Sequence, residues 1–228
     1  NARKALSRCT VWIGYKMYLD LIKPLSRSDQ VLIESKLTEE KERCSKAIKL
    51  AEEGIKVALI SSGESGFYGM AGLLLELLQK IKRESRPYFE VHPGISSVQL
   101  AAALGGAPLM NDFCSISLSD KLTPWSLIEK RMEGALLGDF VIALFNPQSI
   151  ERNWQLKSVI DQCLKSRPGF TPVLIARQVG RENQSKKFFT LKTIPIKDID
   201  MLSIIIIGNS QTTLIDEIFL TPRGYLQN

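Results

Sequence analysis

Val57-Ala-Leu-Ile-Ser-Ser-Gly-Glu-Ser-Gly-Phe-Tyr-Gly-Met70 is the stretch whose reading decides the fold. Its first residues, Val57 to Ile60, have the length and apolar content of a buried strand. The chain then breaks at Ser61-Ser62-Gly63, carries glycines at 63, 66 and 69, and enters the apolar run Met70 to Leu78, which reads as a helix. In α/β folds, a strand that ends in small residues and feeds a helix N-terminus is a place where ligands bind. Backbone N–H groups are bare there, and glycine lets a ligand come close to the main chain. The spacing G-x-x-G-x-x-G differs from the dinucleotide fingerprint, and the Lys-Ser/Thr of a phosphate loop is absent. Taken alone, the pattern fits a tight strand-to-helix turn as well as it fits a ligand site.

The flanking segments extend the same alternation. Upstream, Asn1 to Arg8 reads as the end of a helix, Cys9 to Gly14 as a strand, and Tyr15 to Ile22 as a helix stopped by Pro24. Gln30 to Ile33 is a second strand. Thr38-Glu39-Glu40 starts the next helix with a capping hydroxyl and carboxylates at its positive end. Leu37, Cys44, Ala47, Ile48 and Ala51 form its buried face, and Gly54 ends it. Downstream, Tyr88 to Val91 reads as a strand leading into His92-Pro93-Gly94-Ile95-Ser96-Ser97, then a helix from Val98 to Leu104. This order predicts a mostly parallel sheet with helices on its faces, and Gly105-Gly106-Ala107-Pro108 is the best boundary, giving domains 1–106 and 107–228.

The second half reads differently. Strands are expected at Phe113–Leu118, Asp139–Phe145, Pro172–Arg177, Lys187–Leu191, Leu202–Ile207 and Ile218–Leu220. Helices are expected after Leu122-Thr123-Pro124-Trp125, with a hydroxyl cap and proline at the first helical position, and over Glu151–Lys165. Few helices separate the later strands, so a mixed or partly antiparallel sheet follows, and the chain reads as two unlike α/β domains.

Composition narrows the class without naming a function. Hydrophobic residues make up 44% and charged residues 24% of the 228, as in an ordinary globular protein. No apolar run approaches the ~20 residues of a spanning helix, and no cleavable signal opens the chain, so a cytoplasmic protein without a membrane segment is expected. Cys9, Cys44, Cys114 and Cys163 are widely spaced and read as reduced core thiols, with no metal site. The net charge of +6 suits either an anionic partner or a mildly basic surface, and no basic, aromatic-interleaved stripe suggests nucleic acid.

Three loops stand out as candidate ligand loops: Ser62-Gly63-Glu64, His92 to Ser97, and Phe145-Asn146-Pro147. In an open α/β sheet the carboxyl ends of parallel strands share one edge, so distant loops can converge. His92 is the only histidine, and no Ser/His/Asp or Cys/His arrangement can be built around it. Glu64 and Asp120 can orient a ligand, accept a proton or simply cap a helix. Trp125 suits either a flat ligand or the core. Arg177 and Arg181, near Gly180, can clamp carboxylates or lie in solvent.

Several segments resemble the tetrapyrrole methylases, which use S-adenosylmethionine. They are Gly14-Tyr15-Lys16 with Tyr18-Leu19-Asp20-Leu21-Ile22; Ser61 to Ala71; Pro93-Gly94-Ile95-Ser96-Ser97; Ile116 to Asp120 with Leu122-Thr123-Pro124-Trp125; Phe145-Asn146-Pro147; Gly180-Arg181-Glu182; Gly208-Asn209-Ser210-Gln211-Thr212; and Thr221 to Tyr225. The L-S-D-x-L-T-P-W and G-N-S-Q-T segments are similar to the branch that methylates C17 of precorrin-3B or cobalt-precorrin-3, with ring contraction, in cobalamin biosynthesis.

The resemblance implies two α/β domains with the cofactor in the cleft between them, a homodimer, and a tetrapyrrole polycarboxylate as substrate. By position, S-adenosylmethionine would touch Ser62, Gly63, Glu64, Ser96, Ser97 and Asn146, then Gln178–Val179 and Met201 to Ser203. Tyr68 is counted with this set and, like Ser119, Asp120, Thr123 and Trp125, would face or support the substrate side; Arg177 and Arg181 would clamp its carboxylates. Asp120 and Glu64 are the candidate acid or base. Two departures stand against the family pattern. The usual first strand and G-x-G-P-G loop precede the point where this sequence starts, and Glu64 stands where aspartate is usual. A sibling of other regiospecificity, or a silent cofactor-binding module of a larger chain, is the alternative.

Overall fold

A computed structural model describes residues 1–226. Their contacts separate two units, Asn1–Ser96 and a second that starts at Ser97. The first contains α1 (Ala2–Leu6), β1 (Val11–Tyr15), α2 (Lys16–Ile22), β2 (Val31–Ser35), α3 (Glu40–Glu52), β3 (Val57–Ile60) and α4 (Met70–Leu78). Its strands are all parallel, in the order β2-β1-β3, so helices return the chain between them. β1 is central and buried from Val11 to Gly14. On one face Val11 and Ile13 meet Ala47 of α3, with Ile33, Val57 and Leu59 beside them. On the other, a Cβ at Gly14 would lie 3.0 Å from Ile60 and 3.2 Å from Leu19, so glycine is what lets α2 close onto the sheet. The indole N–H of Trp12 donates to the Leu6 carbonyl at 3.1 Å and ties α1 to the sheet.

Three expectations fail in this unit. Thr38 does not cap α3; it has φ +77° and Glu39 holds the cap position without a side-chain bond. Carboxylates order that turn instead, with Glu39 accepting from the Lys36 N–H at 2.8 Å and Glu40 from the Thr38 N–H at 3.2 Å. Leu37 is 60% exposed because the helix begins only at Glu40. Tyr88 to Val91 form no strand, and Tyr88, Phe89 and Val91 are exposed. Their composition favours a strand, but propensity of this kind needs a neighbouring ladder, and the sheet gives them none.

The second unit opens with α5 (Ser97–Gly105) and β4 (Gly106–Ala107), so it includes the segment in which the sequence places the boundary. It continues with β5 (Phe113–Ser117), α6 (Trp125–Leu137), β6 (Val141–Phe145), α7 (Gln155–Ser166), β7 (Pro172–Arg177), β8 (Ser185–Thr190), β9 (Ser203–Ile207), β10 (Thr213–Ile215) and β11 (Ile218–Leu220). The mixed sheet has the order β5-β6-β9-β7-β8; only β5 and β6 pair in parallel. Ile128 and Met132 of α6, with Leu156, Val159 and Ile160 of α7, pack on Ile116, Ile142, Leu144, Val173, Ile205 and Ile207. α5 lies against β7, β8 and β9, where Leu174 comes so near Gly105 that a Cβ there would sit 2.5 Å from it. β9 is therefore covered throughout, and every residue from Ser203 to Ile207 is buried. Each of its isoleucines contributes on the order of 1.5–3 kcal/mol.

Helix starts shift here too. Pro124 is extended and holds the cap position of α6, so Thr123 does not cap, and α7 starts at Gln155 rather than Glu151. β10 is absent from the sequence reading because its hairpin with β11 turns on Asp216-Glu217, both at positive φ, rather than on a glycine-bearing pair. Among the described residues no helix is long and apolar enough to cross a membrane. The four cysteines form no disulfide. Burial pushes the thiols of Cys44, Cys114 and Cys163 up to about 11, which leaves them protonated at neutral pH.

The G-N-S-Q-T segment closes one edge of this sheet. The Thr212 hydroxyl accepts from the Asn209 N–H at 2.8 Å, donates to the Asn209 side-chain carbonyl at 3.0 Å and lies 2.8 Å from the Thr221 hydroxyl. Nearby, buried Arg167 donates to the carbonyls of Gly208 and Phe140, each at 2.6 Å. Thr212→Val keeps the shape and removes the three hydroxyl bonds of Thr212, so it should lower unfolding free energy by about 2 kcal/mol in urea titrations. An unchanged midpoint would contradict this account of the segment.

Candidate functional site

In the first unit the glycine-rich turn after β3 meets the loop His92–Ser96 backbone to backbone. Gly63 has φ +65°, and its carbonyl lies where a Cβ on Gly94 would be 1.9 Å away. A side chain at Gly94 would force the two loops apart, and one at Gly63 would be strained by its positive φ. Ser96 is buried beside Gly63, while Ser62 is exposed and Glu64 half-buried, its carboxylate lying over Gly66. Tyr68 is 55% exposed with φ +55°, a conformation costly for a bulky residue, and stands edge-on to Phe67. The turn is braced from behind by Arg43, which is buried. Its Nε donates to the Ser35 hydroxyl at 2.6 Å, Nη2 to the Lys36 carbonyl at 2.9 Å, and Nη1 lies 3.7 Å from the Met70 sulfur. His92 lies 3.7 Å from the Glu90 carboxylate.

In the second unit, strand register collects the other candidates. Ser117 pairs with Phe145, Leu144 with Ile205, and Arg177 with Ser203. The ends of β5, β6 and β7 therefore share an edge with the start of β9, bringing Ser119, Asp120, Asn146, Gln178, Val179, Met201 and Ser203 to one side. G-N-S-Q-T lies at the opposite edge, beyond the end of β9. Asn146 and Gln178 both have φ near +50°, outside the range most side chains favour. Strained backbone held by its surroundings is characteristic of ligand sites.

The edge is hydrogen-bonded into a single piece. The Asn146 amide donates to the Ser117 hydroxyl at 2.9 Å, and the Ser119 N–H reaches the same oxygen at 3.3 Å. The Gln178 N–H donates to the Leu202 carbonyl at 3.0 Å. Asp120 accepts from the buried Gln155 amide at 2.9 Å, which fixes the orientation of the carboxylate. Trp125 packs on the core and meets Trp154 edge to face at 4.8 Å, so the core accounts for much of its surface. Thr123 is half-buried beside it.

Arg177 is already engaged: Nε and Nη2 reach one oxygen of Asp200 at 2.9 and 2.8 Å. The other Asp200 oxygen accepts from the Ser203 hydroxyl at 2.9 Å and the Leu202 N–H at 3.0 Å. Partial burial pushes the Asp200 carboxyl up, but the hydrogen bonds from Arg177, Ser203 and Leu202 together hold it below the usual carboxylate range. Arg181 forms a tight turn, its N–H donating to the Gln178 carbonyl at 3.0 Å. Ser117, Arg152, Gln155 and Asp200 escape a reading of the sequence. Each sits in an ordinary polar or strand context, and only the register shows what it touches.

The loops offer backbone groups, hydroxyls and close glycine contacts, which suit a polar organic cofactor held without a nucleophile. The family model for Tetrapyrrole (Corrin/Porphyrin) Methylases matches residues 1–195. The chain is 44% identical over 227 residues to the cobalt-factor III methyltransferase of Priestia megaterium, covering 99% of this chain and 42% of that protein. It is also 44% identical over 225 residues to the probable cobalt-factor III C(17)-methyltransferase of Salmonella typhimurium, covering 99% and 92%. The crystal structure of the methyltransferase CobJ superposes with a TM-score of 0.90 at 33% identity, covering 96% of this chain and 91% of the other.

The Asp200 cluster has a definite pH signature. A carboxyl whose folded value is depressed stabilises the fold above its unfolded value and loses that contribution as pH falls through the folded one. Both partners of the pair are about two-fifths exposed, at 42% and 41%, so the effect is at most about 1 kcal/mol. Asp200→Asn should lower stability at pH 7 and match the parent protein only once pH has fallen below the depressed folded value of Asp200. A difference independent of pH would contradict the assignment.

Proposed function

We propose, because the chain belongs to the tetrapyrrole (corrin/porphyrin) methylase family, that it is an S-adenosylmethionine-dependent C-methyltransferase of cobalamin biosynthesis. Its substrate in this reading is cobalt-factor III, methylated at C17 with contraction of the ring; precorrin-3B is the cobalt-free counterpart. The observation that carries this is the 44% identity to two proteins named for that substrate, extending over 99% of the chain. Because the chain spans only 42% of the Priestia relative, the whole activity is part of the proposal. The cytoplasmic setting and homodimer expected from the resemblance belong to it as well.

S-adenosylmethionine supplies a methyl group already activated on a sulfonium, which leaves the protein to align donor and acceptor and to exclude water. In this reading Ser62, Gly63, Ser96 and Ser97, with Asn146, Gln178–Val179, Met201 and Ser203, hold the cofactor through backbone and hydroxyl groups. Ser119 and Thr123 support the substrate side with Trp125 and Tyr68. Asp120, held by Gln155, and Glu64 move protons during ring contraction. In this reading Arg177 and Arg181 clamp the substrate carboxylates, Arg177 by exchanging Asp200 for one. A net charge of +6 suits a polycarboxylate.

The test is mass-spectrometric. Labelled S-adenosylmethionine is offered with cobalt-factor III or with precorrin-3B, and the product is fragmented to locate the label. Label at C17 of the cobalt-containing macrocycle is the expected result. Label at another carbon would make the chain a sibling enzyme, and no label from protein that binds the cofactor would make it a silent module. Asp120→Ala should lower turnover by roughly 10²- to 10⁴-fold while S-adenosylhomocysteine still binds. Unchanged turnover would remove Asp120 from the mechanism.

A further inference from the structure

Ser149-Ile150-Glu151-Arg152 inverts the usual rule of burial. Ile150 is 98% exposed and Arg152 only 5% exposed. The turn is closed on itself, with the Ser149 N–H donating to the Arg152 carbonyl at 2.9 Å and the Arg152 N–H returning to Ser149 at 3.2 Å. It directs the guanidinium inward. Nη1 donates to the Leu118 carbonyl at 3.1 Å and the Asn146 carbonyl at 3.0 Å, and Nη2 lies 3.0 Å from the Met201 sulfur. Nε is buried with no partner, and no carboxylate among the described residues pairs with this arginine. Burying a cation without a counter-charge is costly, and an apolar side chain in its place is often neutral or better for stability. Stability alone gives no reason to retain it.

What Arg152 joins does give one. Leu118 precedes Ser119 and Asp120, Asn146 follows β6 in a strained conformation, and Met201 lies just ahead of β9. Those are three separate loops of the candidate edge, bound by one rigid planar group whose donors are fixed relative to one another. We infer that Arg152 is a positioning residue: it sets the Asn146 and Met201 loops in the conformation that receives the cofactor. The inference rests on the cofactor assignment proposed above.

Arg167 supplies the control. It too is buried, has a buried Nε without a partner, and donates to two backbone carbonyls, but at the opposite edge of the same sheet and with the Asp139 carboxylate 3.8 Å away. The whole chain is compared with its Arg152→Met, Arg152→Lys and Arg167→Met variants by calorimetric titration with S-adenosylhomocysteine and by thermal unfolding. Arg152→Met should weaken binding roughly tenfold or more, as loss of a supporting partner typically does. Arg152→Lys should recover part of the affinity, and folded Arg167→Met should bind as the parent does. Equal affinity in the parent and Arg152→Met would overturn the positioning role while leaving the proposed function intact. Affinity lost in step with melting temperature in both methionine variants would also overturn it, by showing a purely structural role. Absence of binding by the parent protein would instead overturn the cofactor assignment, and the positioning role with it.

Discussion

β9 lies between β6 and β7, antiparallel to both, and is buried at every residue. This placement decides which loops meet in the second unit. The start of β9 lies beside the ends of β6 and β7, so residues as distant in sequence as Ser119 and Met201 come to one edge. The same register sends Gly208 to Thr212 to the far edge, where hydrogen bonds to the Asn209 and Thr212 side chains order the segment. A one-residue slip of β9 would exchange the faces of its isoleucines and take Ser203 out of register with Arg177. The run Ile204–Ile207 therefore positions the site as well as filling the core.

Each edge has a buried arginine on backbone carbonyls, but only Arg167 also has a carboxylate nearby, Asp139 at 3.8 Å. Arg167 holds Phe140 and Gly208, which flank strands, and burial lowers its pKa from the ordinary guanidinium range. Arg152 holds Leu118 and Asn146, which follow β5 and β6 directly, and Met201 ahead of β9, all at the candidate edge. In the first unit Arg43 has a comparable place, between the end of β2 and the first residue of α4. Tyr68, Asn146 and Gln178 adopt left-handed conformations close to these braces. Strained loops persist only where the surroundings over-determine them, and buried donors with several acceptors do that.

Much of this is legible from the sequence where burial is two-sided or glycine is sterically required. Val57–Ile60 followed by Gly63 and Met70 gives the strand, turn and helix, and Ile204–Ile207 gives a strand covered on both faces. The mixed character of the second sheet follows from strands with few helices between them. Tyr88–Val91 misleads because β-forming residues say nothing about whether a partner strand is present. Thr38 and Thr123 mislead because the helices begin after a carboxylate and a proline that also suit a helix start. Arg152 is invisible in sequence: a charge in a polar loop normally faces water, and only the folded turn shows it directed inward.

The proposed cofactor residues are Ser62, Gly63 and Ser96 of the first unit and Ser97, Asn146, Gln178–Val179, Met201 and Ser203 of the second. Hydrogen–deuterium exchange with and without S-adenosylhomocysteine tests this assignment most directly. The account predicts added protection at residues 62–64, 94–97, 146, 178–179 and 201–203, with residues 208–212 unchanged. Protection centred on 208–212, or none at the predicted loops under saturating ligand, would contradict it.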